Sequence, residues 1–271
     1  MPFLKSVSLK PGAGDGYPFT VPVVRALETL AFPTDVTFLV GENGSGKSTL
    51  LEAIAAAAKL PAVGSESVER DATLTPARML AKRLRLTWRS RTHRGFFLRA
   101  EDFFGFTKYV ARMRADTLQE IRDVTDEYRA QDRSDKALGL RLMPLTTTLA
   151  AMEQRYGVDL DASSHGQSFL KLFESRFVAG GLYLLDEPEA PLSPQSQLAL
   201  IAMMAGMLAE GAQFIIATHS PILLAFPGAT IYSCDRAPIE AVPYDELDHV
   251  TLTREFLASP ATFIRHLMPG V

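Results

Sequence analysis

The apolar positions of the chain form short continuous runs that alternate with longer periodic stretches. The runs at 36–40, 182–185 and 213–217 are almost wholly apolar, which is typical of strands buried on both faces. Stretches rich in Ala and Leu follow two of these runs, at 48–60 and 195–210, and their apolar spacing predicts helices. Strands that alternate with helices predict an α/β fold with a mostly parallel sheet.

The middle of the chain adds two further strands and a long helical segment. Residues 84–88 alternate apolar and polar positions and residues 96–99 are largely apolar, so both predict strands. Residues 102–155 have a charged helical pattern, and the pattern at 168–177 predicts another helix. The predicted division is therefore an α/β core of residues 1–100 and 179–271 with an inserted helical lobe of residues 101–178.

The composition excludes several classes of protein. A chain of 271 residues with 47% hydrophobic and 22% charged residues is neither disordered nor of low complexity. The single cysteine, Cys234, excludes an internal disulfide and a cysteine-rich metal site, and it fits a reducing cytosol. No apolar run reaches the roughly 18 residues that span a bilayer, so we predict a cytoplasmic protein without a membrane span of its own.

The net charge of -3 conceals a strongly basic segment. Residues 78–114 contain eleven Lys and Arg but only two carboxylates, so this segment carries +9 and the rest of the chain -12. Two interpretations of the stretch from Arg78 to Arg99 stay open. One is contact with nucleic acid through phosphates and stacked bases, and the other, which is the commoner outcome, is a solvated strand face or a docking edge. The arginines concerned are Arg83, Arg85, Arg89, Arg91 and Arg94, and the interleaved aromatic residues are Trp88, Phe96 and Phe97.

Residues 41–49, Gly-Glu-Asn-Gly-Ser-Gly-Lys-Ser-Thr, match the phosphate-loop pattern G-x-x-x-x-G-K-[ST] between a predicted strand and a predicted helix. The glycines let backbone N–H groups face a phosphate, and Lys47 adds a charge at the β and γ oxygens. Ser48 is expected to bind Mg²⁺, with Thr49 close to the α-phosphate of ATP. The predicted nucleotide-binding residues of this loop are Gly41, Asn43, Gly44, Ser45, Gly46, Lys47, Ser48 and Thr49.

Two carboxylates, Asp186 and Glu187, follow the apolar run 182–185. Asp186 fits a second protein ligand of Mg²⁺, and Glu187 is placed to orient or deprotonate the attacking water. His219 follows the run 213–217. A lone histidine at a strand end is more often structural. In a chain that also has a phosphate loop and two carboxylates at a strand end, however, His219 is a candidate catalytic residue that senses the γ-phosphate.

A second candidate phosphate site begins at Ser164. The spacing of Ser164 and Gln167 is that of a capping box at the start of a helix. The same helix start, with the hydroxyl of Ser164 and the N–H of Gly166, is also a phosphate-binding surface. Both interpretations can hold at once.

These four motifs occur in the order and spacing of ATP-binding-cassette ATPases, and the chain resembles that family. The resemblance implies a P-loop NTPase core with three layers, in which residues 163–167 are the family signature and residues 190–193 are the D-loop. It also implies a homodimer formed on ATP binding. In that dimer Ser164, Gly166 and Gln167 of one subunit close over the nucleotide in the phosphate loop of the other.

An aromatic ring that precedes the phosphate loop often stacks on adenine in this superfamily. Tyr17 and Phe19 are the two candidates, and a core position for either is equally compatible with the pattern. The sequence also departs from the family in three ways. His165 replaces the first signature glycine, Ser193-Pro194 stands where transport subunits carry aspartate, and no glutamine occurs between Lys47 and Gln119, an interval where Glu101 is a candidate replacement for the glutamine of transport subunits.

The phrase Asp-Glu-Pro-Glu-Ala-Pro-Leu-Ser-Pro at 186–194 resembles stand-alone bacterial ATPases near the recombination, repair and phage-defence group. We therefore predict a Mg²⁺-dependent ATPase in DNA maintenance or defence. Two alternatives stay open, the nucleotide-binding subunit of a membrane transporter and a nucleotide-gated interaction protein with little turnover. A separate protein subunit is a further candidate binding partner.

Overall fold

The computed structural model describes residues 2–12, 14–63, 74–156 and 165–268. The strands are β1 (Leu4–Leu9), β2 (Thr29–Ala31), β3 (Val36–Val40), β4 (Leu84–Trp88), β5 (Gly95–Arg99), β6 (Leu182–Asp186), β7 (Gln213–Ala217), β8 (Thr230–Ser233) and β9 (Glu240–Ala241). The helices are α1 (Pro22–Arg25), α2 (Lys47–Ala58), α3 (Thr75–Arg83), α4 (Ala100–Ala130), α5 (Asp135–Tyr156), α6 (His165–Arg176), α7 (Pro194–Ala209), α8 (Pro221–Leu224), α9 (Asp248–Ala258) and α10 (Pro260–Leu267), with a short 3₁₀ helix at Tyr244–Glu246.

The main sheet has the strand order β5-β6-β7-β3-β8-β9. Its first five strands are parallel and β9 alone runs antiparallel to its neighbour. The predicted α/β class with a mostly parallel sheet is therefore confirmed. The continuous apolar runs mark the central strands because both faces of β3, β6 and β7 are buried.

Alternation along the strands divides the core into two parts and makes three layers. In β6, Leu182 and Leu184 face a cluster that contains helix α2, whereas Tyr183 and Leu185 face a second cluster that contains α6 and α7. The same alternation holds in β3 and β7. Since side chains two apart share a face, Asp186 at the end of β6 points toward α2.

A second, antiparallel sheet of order β2-β1-β4 covers part of the α2 side. The predicted strand 84–88 is confirmed, but it belongs to this smaller sheet and pairs with β1. Leu4, Val7 and Leu84 turn one face of the sheet toward the core, while Lys5 and Arg85 lie on the exposed face.

Helices α4, α5 and α6 occupy the interval in which we predicted the helical lobe. The side chains of Arg114 and Glu153 form an ion pair of 3.1 Å between α4 and α5, which places these helices antiparallel. Helix α6 packs on the main sheet, with Phe169 and Phe173 in one aromatic cluster with Phe96 of β5. Across the described ranges, none of the helices combines the length and apolarity needed to cross a membrane.

One buried amide joins the two sheets. Gln213, which is fully buried at the start of β7, accepts a hydrogen bond from the N–H of Leu4 at 2.9 Å and donates one to its carbonyl oxygen at 3.0 Å. Both backbone groups of Leu4 are thereby paired away from water. A buried polar group without a partner costs about 1–3 kcal/mol, so Gln213 is a structural requirement of the interface between the sheets.

We expect the substitution Gln213→Leu to lower the free energy of unfolding by about 2–4 kcal/mol, because it leaves two backbone groups of Leu4 buried and unpaired. Urea unfolding followed by circular dichroism measures the change. The control is Gly206→Ala on the exposed side of α7, where an added Cβ meets no atom within 4 Å. That change should instead stabilise the protein by about 0.5–1 kcal/mol. A Gln213→Leu protein as stable as the wild type would contradict the assignment.

Candidate functional site

The predicted site residues meet at the carboxyl edge of the main sheet. The phosphate loop follows β3, Asp186 ends β6, and His219 follows β7, which lies between the other two strands. The carboxyl ends of parallel strands all lie at the same edge of the sheet, so three distant segments of sequence come together there. The sheet topology thus places His219 between the phosphate loop and the carboxylates.

The phosphate loop depends on glycine at its junction with α2. Gly46 has a left-handed conformation with φ 97° and is the residue that precedes the helix. A Cβ at this position would lie 2.5 Å from Cγ1 of Val21 and 2.6 Å from Cγ1 of Val23. Both the backbone angle and the close approach therefore exclude larger side chains. Asn43 and Gly44, at the tip of the loop, are exposed.

The ammonium group of Lys47 lies inside the loop. Lys47 is only 4% exposed, and its Nζ donates to the carbonyl oxygens of Gly41 at 2.6 Å and Glu42 at 3.0 Å. The backbone N–H groups in the first turn of α2, which have no partner within the helix, point toward the same loop. The loop therefore concentrates positive charge at one place, as a phosphate site requires.

Asp235, two residues after β8, braces this loop, and no local sequence pattern indicates this contact. Oδ1 of Asp235 accepts a hydrogen bond from the N–H of Glu42 at 2.6 Å. A Cβ at Gly41 would lie 2.9 Å from the same oxygen. Asp235 is 193 residues from Glu42 in sequence, so only the pairing of β8 with β3 brings the two together.

Ser48 and Asp186 form the predicted pair of oxygen ligands. Oγ of Ser48 donates to Oδ1 of Asp186 at 3.1 Å. Burial raises the pKa of Asp186 to about 7, and the nearby carboxylates of Glu187 and Glu189 raise it further. The hydrogen bond from Ser48 and the charge of Lys47 act in the opposite direction and lower this pKa. Asp186 thus lacks a fully compensating cation.

The donor atoms fit Mg²⁺ shared with a nucleotide. Mg²⁺ prefers oxygen ligands, and it usually takes one or two protein oxygens and completes its shell with phosphate and water. The Ser48 hydroxyl and the Asp186 carboxylate are such a pair. No group of three or more His, Cys, Asp or Glu side chains that could bind a metal ion is found in the described ranges.

Glu187 and His219 lie side by side next to this pair. Oε1 of Glu187 is 3.9 Å from Nε2 of His219, and the two side chains are 45% and 38% exposed. Glu187 has a left-handed backbone with φ 49°, which costs a residue other than glycine about 1–2 kcal/mol. Strained positions of this kind concentrate at functional sites. The carboxylate of Glu187 has the chemistry of a proton acceptor and the imidazole of His219 that of a hydrogen-bond donor, and Nε2 of His219 is shielded from solvent without a hydrogen-bond partner among the described residues.

Arg99 ends β5, just before Glu101, the predicted replacement for the glutamine of transport subunits. Helix α4 begins at Ala100, directly after β5, so no loop intervenes. The guanidinium group of Arg99 donates to both oxygens of Asp102 at 2.8 and 2.9 Å and lies 3.5 Å from Glu52 of α2. The side chain of Glu101, the predicted substitute, lies outside the part of the chain that the structure describes.

The signature-like segment is described only in part. Helix α6 is described from His165 onward and includes Gly166 and Gln167. Ser164 and the residue before it lie outside the described residues, as do the side chains that follow as far as Ser168. The predicted contacts of Ser164, Gly166 and Gln167 with a second subunit stay predictions.

The Ser193-Pro194 departure has a local structural explanation. Oγ of Ser193 accepts a hydrogen bond from the N–H of Ser196 at 3.2 Å and so caps α7, and Pro194 occupies the first position of that helix. Both residue types are favoured there. These two residues therefore serve the helix start.

Of the two candidate aromatic residues, Tyr17 lies closer to the phosphate loop. Its hydroxyl is 3.4 Å from Oγ1 of Thr49, and the residue is 59% exposed. Phe19 is partly buried against the core. The structure thus leaves the ring of Tyr17 available to a ligand at the first turn of α2.

The aromatic part of the basic segment is not available for base stacking, contrary to one of the interpretations above. Phe96 and Phe97 are 3% and 1% exposed in β5, and Trp88 packs on the core from β4. Arg99 is buried in its ion pairs. Alternation along the strands turns the rings inward and leaves Arg85 outside, so charge alone remains on the surface.

Comparison with known proteins finds ATPase families at both halves of the site. Residues 23–67, with the phosphate loop, match a family model described as an AAA domain. Residues 145–225, with the carboxylates and His219, match a model described as an AAA domain, putative AbiEii toxin, Type IV TA system. The hemin import ATP-binding protein HmuV of Rhodopseudomonas palustris is 28% identical over 210 residues, which cover 76% of this chain and 73% of HmuV.

Among solved structures, cbiO1 from Clostridium perfringens, part of the ABC transporter complex cbiONQ, covers 99% of this chain and 100% of its own, with a TM-score of 0.48 and 16% identity. A nucleotide-free ATP-binding cassette from an ABC transporter covers 96% of both chains, with a TM-score of 0.47 and 16% identity. The Smc head domain from Pyrococcus furiosus, bound to the C-terminal domain of ScpA, covers 95% of this chain and 100% of its own, with a TM-score of 0.46 and 12% identity.

The raised pKa of Asp186 predicts how stability depends on pH without Mg²⁺ and nucleotide. The folded chain holds this proton more tightly than the unfolded chain, so the carboxyl lowers stability increasingly as pH rises from about 4 to about 7. Asp186→Asn, which removes that ionisation, should therefore be more stable than the wild type at pH 8, by roughly 2–4 kcal/mol.

Thermal unfolding in EDTA at pH 4, 6 and 8 measures this difference. It should shrink toward zero at pH 4. The control is Asp116→Asn on the exposed face of α4, which should give no such trend. A difference between Asp186→Asn and the wild type that is the same at all three pH values would contradict the prediction.

Proposed function

We propose that this chain, which resembles ABC-type ATPases, binds Mg-ATP and hydrolyses it. The observation that carries this proposal is the hydrogen bond between Ser48 of the phosphate loop and Asp186 of β6. It brings a hydroxyl and a carboxylate to the mouth of a loop lined by backbone N–H groups and Lys47. The two AAA-domain matches cover both sides of this arrangement.

The phosphates of ATP would lie in the concentration of positive charge around Lys47 and the start of α2. Lys47 would exchange its hydrogen bonds with the loop carbonyls for the β and γ oxygens. Ser48 and Asp186 would hold Mg²⁺, which neutralises charge on these oxygens when it is bound. The ring of Tyr17 would pack against adenine, because it lies over the same turn of the helix.

Glu187 would act as general base on the attacking water and His219 would contact the γ-phosphate. Both side chains are partly accessible, and they lie within 3.9 Å of each other beside the magnesium ligands. A carboxylate that accepts the proton of water typically contributes 10²–10⁴-fold to a rate. The left-handed backbone of Glu187 supports this role, since strained residues concentrate at functional sites.

The active form would be a head-to-tail dimer that encloses two nucleotides. The site of one chain is open on the side of Glu187 and His219, where both side chains meet solvent. The start of α6 in a second chain, with Ser164, Gly166 and Gln167, would cover that side. Helix starts bind phosphate through their free N–H groups.

The cycle would serve DNA maintenance or defence rather than transport. The match to the AAA-domain model described as a putative AbiEii toxin supports a defence role. The similarity to HmuV supports the alternative, a transporter subunit. Against that alternative, the sequence departs from the pattern of transport subunits, because no glutamine occurs between Lys47 and Gln119.

Nucleic acid would bind at a basic face around the antiparallel sheet. No Asp or Glu occurs in residues 2–12 or 74–100. The cations of the two segments meet because β1 pairs with β4 and Nζ of Lys10 donates to the carbonyl oxygen of Lys82 at 3.1 Å. Without exposed rings, this face suits the phosphate backbone of a duplex. Its members are Lys5, Lys10, Arg78, Lys82, Arg83, Arg85, Arg89, Arg91 and Arg94.

We expect Glu187→Gln to lower ATP turnover by about a hundredfold or more, because an amide cannot accept a proton. Binding of Mg-ATP should persist, so the dimer should accumulate. Turnover is measured by phosphate release and mass by light scattering, with Mg-ATP, with Mg-ADP and without nucleotide. Lys47→Ala is the control, since it removes the charge at the phosphates and should abolish ATP binding in a titration.

The partner side of the site is tested by adding Ser164→Arg to Glu187→Gln. The dimer should then be lost, because the large side chain would block the facing phosphate loop. A chain that stays monomeric under all conditions, or a dimer indifferent to ATP and to Ser164, would contradict the shared site. The residues within one chain could then still hydrolyse ATP alone.

The double substitution Arg85→Glu with Arg91→Glu tests the basic face. It should weaken duplex binding by at least about tenfold and reduce the slope of log K against log salt by about 2, while ATP turnover without DNA stays unchanged. Fluorescence anisotropy at several salt concentrations measures both quantities. A matched reversal on α5, Lys136→Glu with Arg141→Glu, should leave duplex binding unchanged. Wild-type protein that fails to bind duplex at low salt would refute the DNA role.

A further inference from the structure

The loops after β6 and β7 are joined beyond the end of the strands. The last paired residues are Asp186 and Ala217, and the N–H of Glu187 still donates to the carbonyl oxygen of Ala217 at 2.8 Å. In a continued parallel ladder, the N–H of His219 would next donate to the carbonyl oxygen of Glu187. That ladder bond is missing, because the chain turns at Glu187.

The turn diverts the acceptor that His219 would use. The carbonyl oxygen of Glu187 accepts a hydrogen bond from the N–H of Ala190 at 3.0 Å, which closes the turn. The N–H of His219 instead donates to Oε1 of Glu189 at 2.7 Å. A side-chain carboxylate thus takes the place of the missing backbone acceptor, and the ladder continues by one bond.

We propose that Glu189 is a positioning residue, which holds His219 beside Glu187 and the γ-phosphate. This inference rests on the proposed function for its catalytic consequence. It adds a third carboxylate to the motif, one that touches no substrate and acts through the backbone of His219. Oε2 of Glu189 is shielded from solvent and has no hydrogen-bond partner among the described residues. Burial of this unpaired oxygen lowers the stability of the folded chain.

The chain beyond His219 is held independently of Glu189. The hydroxyl of Ser220 donates to Oε1 of Gln197 in α7, and Oγ of Ser220 accepts from two N–H groups at the start of α8. Removal of the Glu189 side chain should therefore free the backbone at His219 without releasing Ser220 or α8. That makes a local effect on His219 separable from a general loss of structure.

The test compares Glu189→Ala, which removes the acceptor, with Glu189→Gln, which keeps an acceptor oxygen and removes the charge. In Glu189→Ala, we expect kcat to fall by about ten- to a hundredfold while KM for ATP changes by less than about threefold. Hydrogen-deuterium exchange at the His219 amide should become faster. Glu189→Gln should restore both kcat and slow exchange, and Glu120→Ala on the exposed face of α4 is the charge-matched control.

Three outcomes would overturn the inference: unchanged exchange at His219 in Glu189→Ala, faster exchange with an unchanged kcat, or a Glu189→Gln protein as impaired as Glu189→Ala. The last would show that the charge of Glu189 matters and not its acceptor. Wild-type turnover no higher than that of Lys47→Ala would instead contradict the proposed function and with it the catalytic consequence. The exchange measurement would still decide whether Glu189 holds His219.

Discussion

The hydrogen bond between Ser48 and Asp186 is the interaction on which the rest of the site depends. It joins residues that are 138 positions apart, one at the start of a helix and the other at the end of a strand. The parallel sheet makes this possible because its alternation turns Asp186 toward α2. The same constraint turns Arg99 toward Glu52, one helical turn beyond Ser48. Strands β5 and β6 are thereby both tied to the helix that carries the phosphate loop.

Most of the central fold could be predicted from the sequence because the central strands are buried on both faces. Such strands stand out as short apolar runs, and those at 36–40 and 213–217 match the structure at both ends. The antiparallel sheet was harder to predict. β1 interleaves lysine and serine with its apolar residues, and β2 has only three residues, so neither has the continuous apolar run of the central strands.

The site divides along the same physical line. The phosphate loop, Asp186 and Glu187 were predictable because their chemistry is written in adjacent residues. Asp235 and Gln213 act on backbone groups more than a hundred residues away, and no local pattern announces such contacts. The interpretation of the aromatic residues in the basic segment as base-stacking groups was wrong for a related reason. Its arginines and aromatic rings are adjacent in sequence, but the strands turn Arg85 outward and Phe97 into the core.

Because β5 passes directly into α4, a change in the angle between them moves the whole length of the helix. Helix α4 has 31 residues, which at 1.5 Å each is about 46 Å of stiff rod. Its base is fixed by Arg99, whose guanidinium group also lies against the helix of the phosphate loop. A rotation of only about 10° at Ala100 would carry the far end of the rod through about 8 Å. A small change of angle at the base of α4 is therefore converted into a displacement of several ångströms at its far end.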